Sequence, residues 1–367
     1  MLREGECRIP SGCAITGFIN RDGRRTTGNP IIESIALMNE RSNGLGGGFV
    51  AYGIYPEFKD SYALHLLFED KSSRHQVEEL LKDNFFIEAE DCIPTRLTRG
   101  IGKAPLLWRY FVLPRVAKSE SLETSQDMIT HLVMGINDTI PGAYVISSGR
   151  NMGAFKGVGY PEDIGEFYRL DEYQAHTWVA HGRFPTNTPG WWGGAHPFTL
   201  LDWSVVHNGE VSSYGANKHF LQMHGYKITL QTDTEVITYA LDFLVRRQKL
   251  PLEAAAKVLA PPFWVHIDRM PAEERELYAQ LRVVYGSLLL NGPFSIIVGF
   301  PGGIMALNDR LKLRPLVAGE KGATLYVASE EAAIRAICPN PERIWYPRGG
   351  EPVIGKLEEN ALCCQSA

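Results

Sequence analysis

The chain has 367 residues, of which 44% are hydrophobic and 22% are charged, so it can bury a substantial core of the ordinary globular kind. Its 37 basic and 42 acidic side chains give a formal net charge of -5 without any block of like charge, which argues against nucleic acid as a partner. No apolar stretch approaches the roughly 18 residues that span a bilayer, and the first residues lack the apolar core of a signal peptide, so we expect a cytoplasmic location and no membrane partner.

The first predicted element is a strand over residues 13–20, which leads to an Arg-Asp-Gly turn at residues 21–23. Asp-Gly favours hairpin geometry, so we expect a hairpin here. A helix should follow, because the Asn-Pro pair at 29–30 suits an N-cap and first turn, and the glycines after Asn43 should end it. Those glycines precede a strand-like segment at 49–52. A phosphate-binding loop would need a helix N-terminus there, so we predict a tight turn with close backbone approach.

The next stretch alternates strands and helices. The predicted elements are strand 62–68, helix 74–82, strand 85–89, strand 106–113, helix 121–136 and strand 143–147. This order fits a ferredoxin-like unit. We therefore predict an inserted α/β subdomain at about residues 60–150.

The second half of the chain begins with helices and ends with strands. An amphipathic helix is predicted over residues 234–248, because its apolar side chains fall on one face, and more helices should precede Gly286. Strand-like segments follow at 294–300, 303–307 and 323–327, and residues 329–332 should open a closing helix. Strands at both ends of the chain with helices between them favour a layered α/β sandwich.

Three short polar segments lie between these halves, at residues 181–188, 207–210 and 232–235. The first two follow strand-like runs at 177–180 and 203–206. Polar groups at strand ends are held by a rigid sheet and remain open to solvent, which is where functional residues collect. We therefore predict that the three segments line one pocket, suited to anion binding, oxyanion stabilisation and ammonium binding.

Taken together, the chain resembles the class II glutamine amidotransferases, which are N-terminal-nucleophile hydrolases, and most closely the amidotransferase domain of glutamate synthases. The motifs that carry the resemblance are Cys13-Ala14-Ile15-Thr16-Gly17, Arg183-Phe184-Pro185-Thr186, Asn208-Gly209, Asp233, and the segments at 308–316 and 328–330. Ala14 departs from the family pattern, where glycine is commonest. The order and spacing of the motifs, rather than any one of them, support the resemblance.

The resemblance implies an α+β fold of the four-layer α-β-β-α sandwich type, with the inserted α/β subdomain. It implies one amidotransferase domain over residues 13–360 and a tail at 361–367. In this family the nucleophilic cysteine is the first residue of the mature chain, so residues 1–12 are expected to be a cleaved propeptide. Ammonia delivery to a separate glutamate-synthase-type synthase subunit is also implied, because the domain fills the chain and leaves no room for synthase modules.

The resemblance further implies a site that acts on glutamine, with no metal and no cofactor. The implied catalytic residues are Cys13, Asn208 and Gly209, and the implied substrate-binding residues are Arg183, Thr186 and Asp233. Cys13 would attack the side-chain amide to give a γ-glutamyl thioester and ammonia, followed by hydrolysis to glutamate. Asn208 and Gly209 would form the oxyanion hole. The α-carboxylate would bind at 183 and 186, and the α-ammonium group at 233.

The chemistry of the residues is consistent with these roles. A thiol is a good nucleophile only as thiolate, and a free α-amine, with a pKa of about 7.7 to 8, is a suitable base beside it. Cys7 is the competing nucleophile, but Pro10 argues against an internal strand there. The six cysteines have no C-x-x-C pair and no zinc-ligand spacing, so neither a disulfide framework nor a metal site is indicated. They are Cys7, Cys13, Cys92, Cys338, Cys363 and Cys364.

Each of the other residues also has an ordinary structural interpretation. Asn208-Gly209 is typical of a two-residue hairpin turn. Residues 232–235 resemble a capping box, in which Thr232 caps a helix and Glu235 reaches back, which would leave Asp233 available. Three histidines, at positions 181, 196 and 207, are expected to make structural hydrogen bonds rather than to serve as the base of a Cys-His hydrolase. Trp191 and Trp192 are predicted either to cover bound glutamine or to be packed in the core.

Two other functions remain open on the sequence alone. One is a related hydrolase that cuts another amide, although an arginine and an aspartate together favour an amino-acid substrate. The other is an unprocessed, non-catalytic domain that serves as a scaffold or regulator.

Overall fold

The computed structural model describes residues 12–115, 121–184, 190–358 and 361. The strands within these residues are β1 Ala14–Asn20, β2 Thr26–Thr27, β3 Gly47–Tyr52, β4 Tyr62–Phe68, β5 Phe85–Cys92, β6 Leu106–Pro114, β7 Ala143–Ser147, β8 Met152–Gly157, β9 Gln174–Ala175, β10 Thr177–Gly182, β11 Phe198–Leu200, β12 Trp203–Gly209, β13 Phe294–Phe300, β14 Gly303–Asn308, β15 Val317–Lys321, β16 Thr324–Ala328, β17 Arg343–Trp345 and β18 Val353–Lys356. The α-helices are α1 Asn29–Ala36, α2 Lys71–Asn84, α3 Leu122–Thr139, α4 Pro161–Phe167, α5 Tyr214–Met223, α6 Asp233–Leu241, α7 Leu252–Leu259, α8 Trp264–Ile267, α9 Ala272–Tyr285 and α10 Glu331–Ile337.

The strand that follows Cys13 lies inside a seven-stranded sheet of order β17-β15-β16-β1-β10-β3-β8. β1 pairs antiparallel with β10 on one side and β16 on the other, so both of its edges are occupied by strands distant in sequence. The predicted hairpin at residues 21–23 is therefore wrong. The turn leads instead to β2, which pairs with β9. A local Asp-Gly signal cannot reveal that β1 is already paired on both edges.

A second sheet, of order β11-β12-β13-β14-β18, packs face to face against the first. Alternation along β1 directs Ile15 and Ile19 into the cluster between the sheets, where they meet Ile297 of β13 and Ile304 of β14. Burying such side chains contributes about 25 cal/mol per Å² of apolar surface removed from water. The site lies at one end of this interface, because β1 begins where β10 ends.

Helices cover the outer face of each sheet. On the first sheet, Phe18 of β1 packs in one cluster with Ile31 and Ile35 of α1. On the second sheet, Val205 of β12 packs in another cluster with Ile237 of α6. The protein therefore has the predicted α+β fold, with several antiparallel sheets, and the four-layer α-β-β-α sandwich stays a prediction.

The region between residues 62 and 147 forms a separate four-stranded sheet of order β5-β6-β4-β7. Helices α2 and α3 follow β4 and β6, so the predicted order of strands and helices is present, with the helices a few residues longer than predicted. Each helix begins at a capping side chain: the Asp70 carboxylate accepts the Ser73 N–H at 2.8 Å, and the Ser121 hydroxyl accepts the Thr124 N–H at 3.3 Å. The boundaries of an inserted subdomain at about 60–150 stay a prediction.

The predicted helix 234–248 is shorter than expected. Its α-helical part is α6, after which residues Asp242–Arg247 form a π-helical turn. The turn holds Asp242 and Arg246 in a buried ion pair at 2.6 Å, which the apolar pattern of the sequence did not indicate. None of the helices in the described ranges is both long and apolar enough to cross a membrane.

Candidate active site at the start of the central strand

A cavity of about 320 Å³ opens where β1 begins and β10 and β12 end. Cys13, Arg183, Gly209 and Asp233, which the sequence singled out separately, all line it. Asn208 precedes Gly209 on the same strand. Thr186, the remaining predicted site residue, lies outside the described residues. The predicted common pocket is thus present, and it contains four of the six predicted residues.

Cys13 directly precedes β1 and is half-buried. Its Sγ accepts the backbone N–H of Phe184 at 3.4 Å. Burial raises the pKa of the Cys13 thiol, while the Phe184 N–H and the positive charges of Arg183 and Arg314 oppose that rise. The thiol is therefore protonated at neutral pH in this structure, and it needs a base before it can attack.

Arg183 follows β10 and lies beside the glycine-rich segment that precedes β3. Its N–H donates to the carbonyl of Gly46 at 2.9 Å, and its guanidinium approaches the carbonyl of Leu45 at 3.5 Å. Gly46 has a φ of +146°, and a Cβ added there would lie 3.1 Å from Cδ of Arg183. The predicted tight turn is confirmed, since the strand β3 and not a helix follows it. Its glycine leaves room for the arginine.

Asn208 and Gly209 are the last residues of β12, where they pair with Ser295 and Phe294. The interpretation of Asn-Gly as a hairpin turn is therefore wrong. Gly209 has a φ of +140°, and a Cβ there would lie 2.0 Å from the carbonyl oxygen of Pro293, so only glycine fits.

The side-chain amide of Asn208 is fully buried. Its nitrogen approaches the Ser329 hydroxyl at 3.5 Å, and its oxygen has no hydrogen-bond partner within the described residues. The Asn208 amide could rotate so that its nitrogen faces the cavity and its oxygen faces Ser329. The Ser329 hydroxyl can bond the amide in either orientation, because a hydroxyl both donates and accepts.

Asp233 is the first residue of α6 and carries a charge at neutral pH. Its carboxylate accepts the Val211 N–H at 3.0 Å and the Thr234 hydroxyl at 3.2 Å, and it lies 3.5 Å from Nδ1 of His207. Burial raises the pKa of Asp233, but His207 and these hydrogen bonds outweigh that effect and lower it to about 2. Its side chain keeps 21% exposure, so an ionised carboxylate faces the cavity.

The capping box predicted at residues 232–235 is only half correct. Thr232 does cap α6, because its hydroxyl accepts the Thr234 N–H at 3.3 Å. Glu235 does not reach back to the cap. Its carboxylate accepts the N–H groups of Thr229 and Leu230 at 3.1 and 2.9 Å, which fixes the loop before the helix. Burial raises the pKa of Glu235 to about 7.

The three histidines lie close together beside the cavity, which His196 and His207 line. The rings of His181 and His196 lie 4.0 Å apart, and His181 is hydrogen bonded to the carbonyl of His207 at 3.0 Å. His196 and His207 both approach the Thr234 hydroxyl. Burial lowers the pKa of His181 to about 3 and that of His196 well below its usual value. Within the described part of the chain, none of them bonds Sγ of Cys13, which supports the structural interpretation.

The two tryptophans differ in their relation to the Cys13 cavity, which Trp191 lines and Trp192 does not. Trp191 lines the cavity and packs edge-on against Tyr144 at 5.2 Å. Trp192 packs against Phe167 at 5.8 Å instead. Trp191 is thus the residue positioned to cover a bound ligand.

Two further residues lie beside the site residues, although the sequence did not identify them as part of the site. Arg314 approaches Gly12, where an added Cβ would lie 3.1 Å from Nη1. The Ser329 hydroxyl accepts the Ile15 N–H at 3.2 Å and meets Asn208. Both lie in the C-terminal segments that carry the family resemblance, but a motif alone did not indicate which of its residues approach the site.

Three comparisons place the chain among known proteins. The sequence model of the family described as "Glutamine amidotransferases class-II" matches residues 124–341, a segment that begins after Cys13 and includes the other site residues. An uncharacterized protein of Archaeoglobus fulgidus is 52% identical over 349 residues, which cover 94% of this chain and 92% of that protein. A proposed glutamine amidotransferase of Methanothermobacter thermautotrophicus is 25% identical over 338 residues, which cover 90% of this chain and 95% of that protein. The solved glutamine phosphoribosylpyrophosphate amidotransferase from B. subtilis covers 95% of this chain at 13% identity, with a TM-score of 0.42, and this chain spans 50% of it.

Proposed function

The chain belongs to the class II glutamine amidotransferases, and from this premise we propose that it hydrolyses glutamine to glutamate and ammonia in the Cys13 cavity. We further propose that a glutamate-synthase-type subunit receives the ammonia. The observation that carries the proposal is the convergence of a thiol, a guanidinium and an ionised carboxylate in one cavity. These are Cys13, Arg183 and Asp233.

The charges in the cavity suit an α-amino acid. The planar guanidinium of Arg183 matches the two oxygens of an α-carboxylate, which a lysine would not reproduce. Asp233, with a pKa near 2, offers a permanent negative charge to an α-ammonium group. A substrate held at both groups would direct its side-chain amide elsewhere in the cavity, where Cys13 is the available nucleophile. This pattern favours glutamine over an amide without these groups.

Activation of Cys13 needs the removal of the residues before it. As long as Cys13 is preceded by Gly12, its nitrogen is an amide and cannot take a proton from the thiol. Cleavage after Gly12 would release an α-amine with a pKa of about 7.7 to 8, close to neutral pH and attached to the same residue as Sγ. Within the described residues, no histidine bonds Sγ of Cys13, and burial lowers the pKa values of His181 and His196, so the released α-amine is the proposed base.

Attack on the amide would produce a tetrahedral intermediate with a negative oxygen. The Gly209 N–H and the Asn208 amide nitrogen are the proposed donors, and each such donor contributes about 3 to 4 kcal/mol to the stability of this state. Ammonia would then leave, a γ-glutamyl thioester would remain on Sγ, and water would release glutamate. Thr186 stays a predicted second contact to the α-carboxylate.

The decisive experiment combines intact mass with a glutaminase assay on the full-length chain. We expect the purified protein to begin at Cys13, to release ammonia from glutamine, and to be labelled once on Cys13 by a diazoketone analogue of glutamine. The Cys13→Ala variant should lose at least about 10³-fold of the activity, because the nucleophile is absent.

Cys7→Ala is the matched control, since that cysteine lies in the segment expected to be removed. It should be trimmed and as active as the wild type. The opposite pattern, loss with Cys7→Ala and retention with Cys13→Ala, would transfer the nucleophile to Cys7. An untrimmed, inactive chain would indicate a scaffold, and hydrolysis of other amides in preference to glutamine would indicate a different hydrolase.

A further inference from the structure

Arg314 lies at the junction between residues 12 and 13. A Cβ added to Gly12 would lie 3.1 Å from Nη1 of Arg314 and 3.5 Å from the side-chain oxygen of Asn208. A side chain at position 12 would therefore be in close contact with the guanidinium at its first carbon. Gly12 also has a φ of +133°, which residues with a Cβ rarely adopt. Both the space and the backbone conformation at this junction require glycine.

The loop that carries Arg314 is held by a buried carboxylate. Asp309 is 2% exposed and accepts four backbone N–H groups. The donors are Phe294 at 3.2 Å, Leu311 at 3.0 Å, Leu313 at 2.9 Å and Arg314 itself at 3.2 Å. These bonds fix the backbone from which the arginine side chain extends, so its guanidinium reaches the junction from a rigid support.

The guanidinium whose Nη1 approaches Gly12 also carries a donor, Nε, that is unpaired in the described part of the chain. Nε of Arg314 is buried and has no hydrogen-bond partner within the described residues. A buried donor left unpaired costs about 1 to 3 kcal/mol, so its persistence calls for an explanation. A negative oxygen that forms transiently at the junction would give it a partner. Arg314 also opposes the rise that burial causes in the pKa of the Cys13 thiol, which shows that its charge acts on Sγ.

We propose that Arg314 stabilises the oxyanion that forms when the chain cleaves itself between Gly12 and Cys13. This inference rests on the proposed function, because it requires Cys13 to become the first residue. Arg314 would thus be a catalytic residue of maturation, distinct from Arg183, which is proposed to bind substrate.

The proposed cleavage has two steps. Sγ of Cys13 adds to the carbonyl carbon of Gly12 as the thiol proton passes to the nitrogen of Cys13, and the bond from that carbon to the protonated nitrogen then breaks to release the amine. Water then cleaves the resulting thioester: its hydroxyl completes the carboxyl group of Gly12, and its remaining proton restores the thiol. Both additions place negative charge on the carbonyl oxygen of Gly12, where a charged donor stabilises it best.

The test follows the intact mass of the full-length chain with time after synthesis. The wild type should lose residues 1–12, and Arg314→Gln should be trimmed at least about 10-fold more slowly, because one oxyanion donor typically accounts for 10²- to 10³-fold in rate. Arg310→Gln is the matched control. Arg310 belongs to the same loop, but its guanidinium bonds Asn291 at 2.7 Å and lies over Phe263. Its variant should be trimmed like the wild type.

Two more variants keep the test independent of folding. Arg314→Lys keeps the charge without the planar fork and should recover part of the lost rate. Gly12→Ala probes the same contact from the other side, and it should also slow trimming. If its Cβ acts by displacing Arg314, the double variant Gly12→Ala/Arg314→Gln should be no slower than Arg314→Gln alone.

Three results would overturn the proposal. Trimming of Arg314→Gln at the wild-type rate would remove Arg314 from maturation, and a raised KM for glutamine in that trimmed variant would place it at the substrate instead. Full additivity of the Gly12 and Arg314 effects would mean that the two residues act independently. In these cases a trimmed and active wild type would leave the proposed function intact, whereas an untrimmed, inactive wild type would overturn both.

Discussion

The pKa values of two ionisable side chains that face the cavity respond differently to burial. For Cys13, burial outweighs the neighbouring positive charges and keeps the thiol protonated. For Asp233, contacts with His207, Val211 and Thr234 outweigh burial and keep the carboxylate ionised. Before cleavage, Cys13 therefore lacks the α-amine proposed to activate it toward glutamine, whereas the binding charge is present at once. This difference agrees with a site that is assembled before it is activated.

Asp233→Asn should raise the KM for glutamine by about 10- to 100-fold with a smaller change in kcat, because the variant loses a charge that binds the ground state as well as the transition state. Steady-state glutaminase kinetics on the trimmed protein would measure this. Because the folded pKa is lowered to about 2, the carboxylate should stay ionised between pH 8 and 4, and binding should weaken only as the pH falls toward 2. Glu210→Gln, a second acidic residue of the same cavity, is the control and should change KM less than about 3-fold. Equal effects of the two substitutions would reduce Asp233 to a residue of the helix terminus.

At the scale of single elements, the bounds of helices and strands are predicted best where the spacing of apolar side chains reflects which of them are buried. The bounds of β4 and β13 agree with the prediction because each is a mostly apolar run, interrupted by His65 or Ser295, that ends at polar or turn residues. The predictions fail where a local signal has a distant competitor. The Asp-Gly turn does not form a hairpin because β1 pairs with β10 and β16. Glu235 leaves the helix cap because the loop at Thr229 offers it two backbone donors.

The candidate site shows the same division. The motifs of the sequence predict six site residues, and four of them line one cavity. Arg314 and Ser329 were not identified, because the approach of Arg314 to Gly12 and of Ser329 to Asn208 depends on the Asp309 loop and β16 folding back beside β1. A motif names residue types but does not fix contacts between segments some 300 residues apart, such as Ile15 and Ser329.

Gly209 at the end of β12 gives a test of stability. Gly209→Ala should destabilise the fold by at least about 2 kcal/mol, because φ is +140° and the new Cβ would meet the backbone of Pro293 at 2.0 Å. Gly215→Ala is the matched control. That glycine lies in helix α5 with no heavy atom within 4 Å of an added Cβ, so alanine should be neutral or stabilise by about 0.5 to 1 kcal/mol. Urea unfolding of both variants would measure the difference, and equal midpoints would show that the end of β12 adjusts freely.

At the scale of the whole molecule, the four-stranded unit and the outer helices share one hydrophobic cluster. Ion pairs also connect the four-stranded unit to the helical layer. Asp127 of α3 bonds Arg246 at 2.8 Å, and Arg246 bonds Asp242 at 2.6 and 2.9 Å. The Tyr226 hydroxyl donates a further hydrogen bond to the Asp242 carboxylate at 2.5 Å. The connection therefore has a buried half at Asp242 and an exposed half at Asp127.

The two halves should differ sharply in their effect on stability. Asp242→Asn removes the charge from a carboxylate with no exposure and leaves Arg246, whose side chain is 6% exposed, without its buried counter-ion. Loss of one partner of a buried pair costs about 3 to 5 kcal/mol. Asp127→Asn removes a partner that is 41% exposed, and solvent screening should limit its cost to about 1 kcal/mol or less. Urea unfolding at neutral pH compares the two variants directly. Similar losses would mean that the exposed aspartate contributes as much to stability as the buried one, contrary to this prediction.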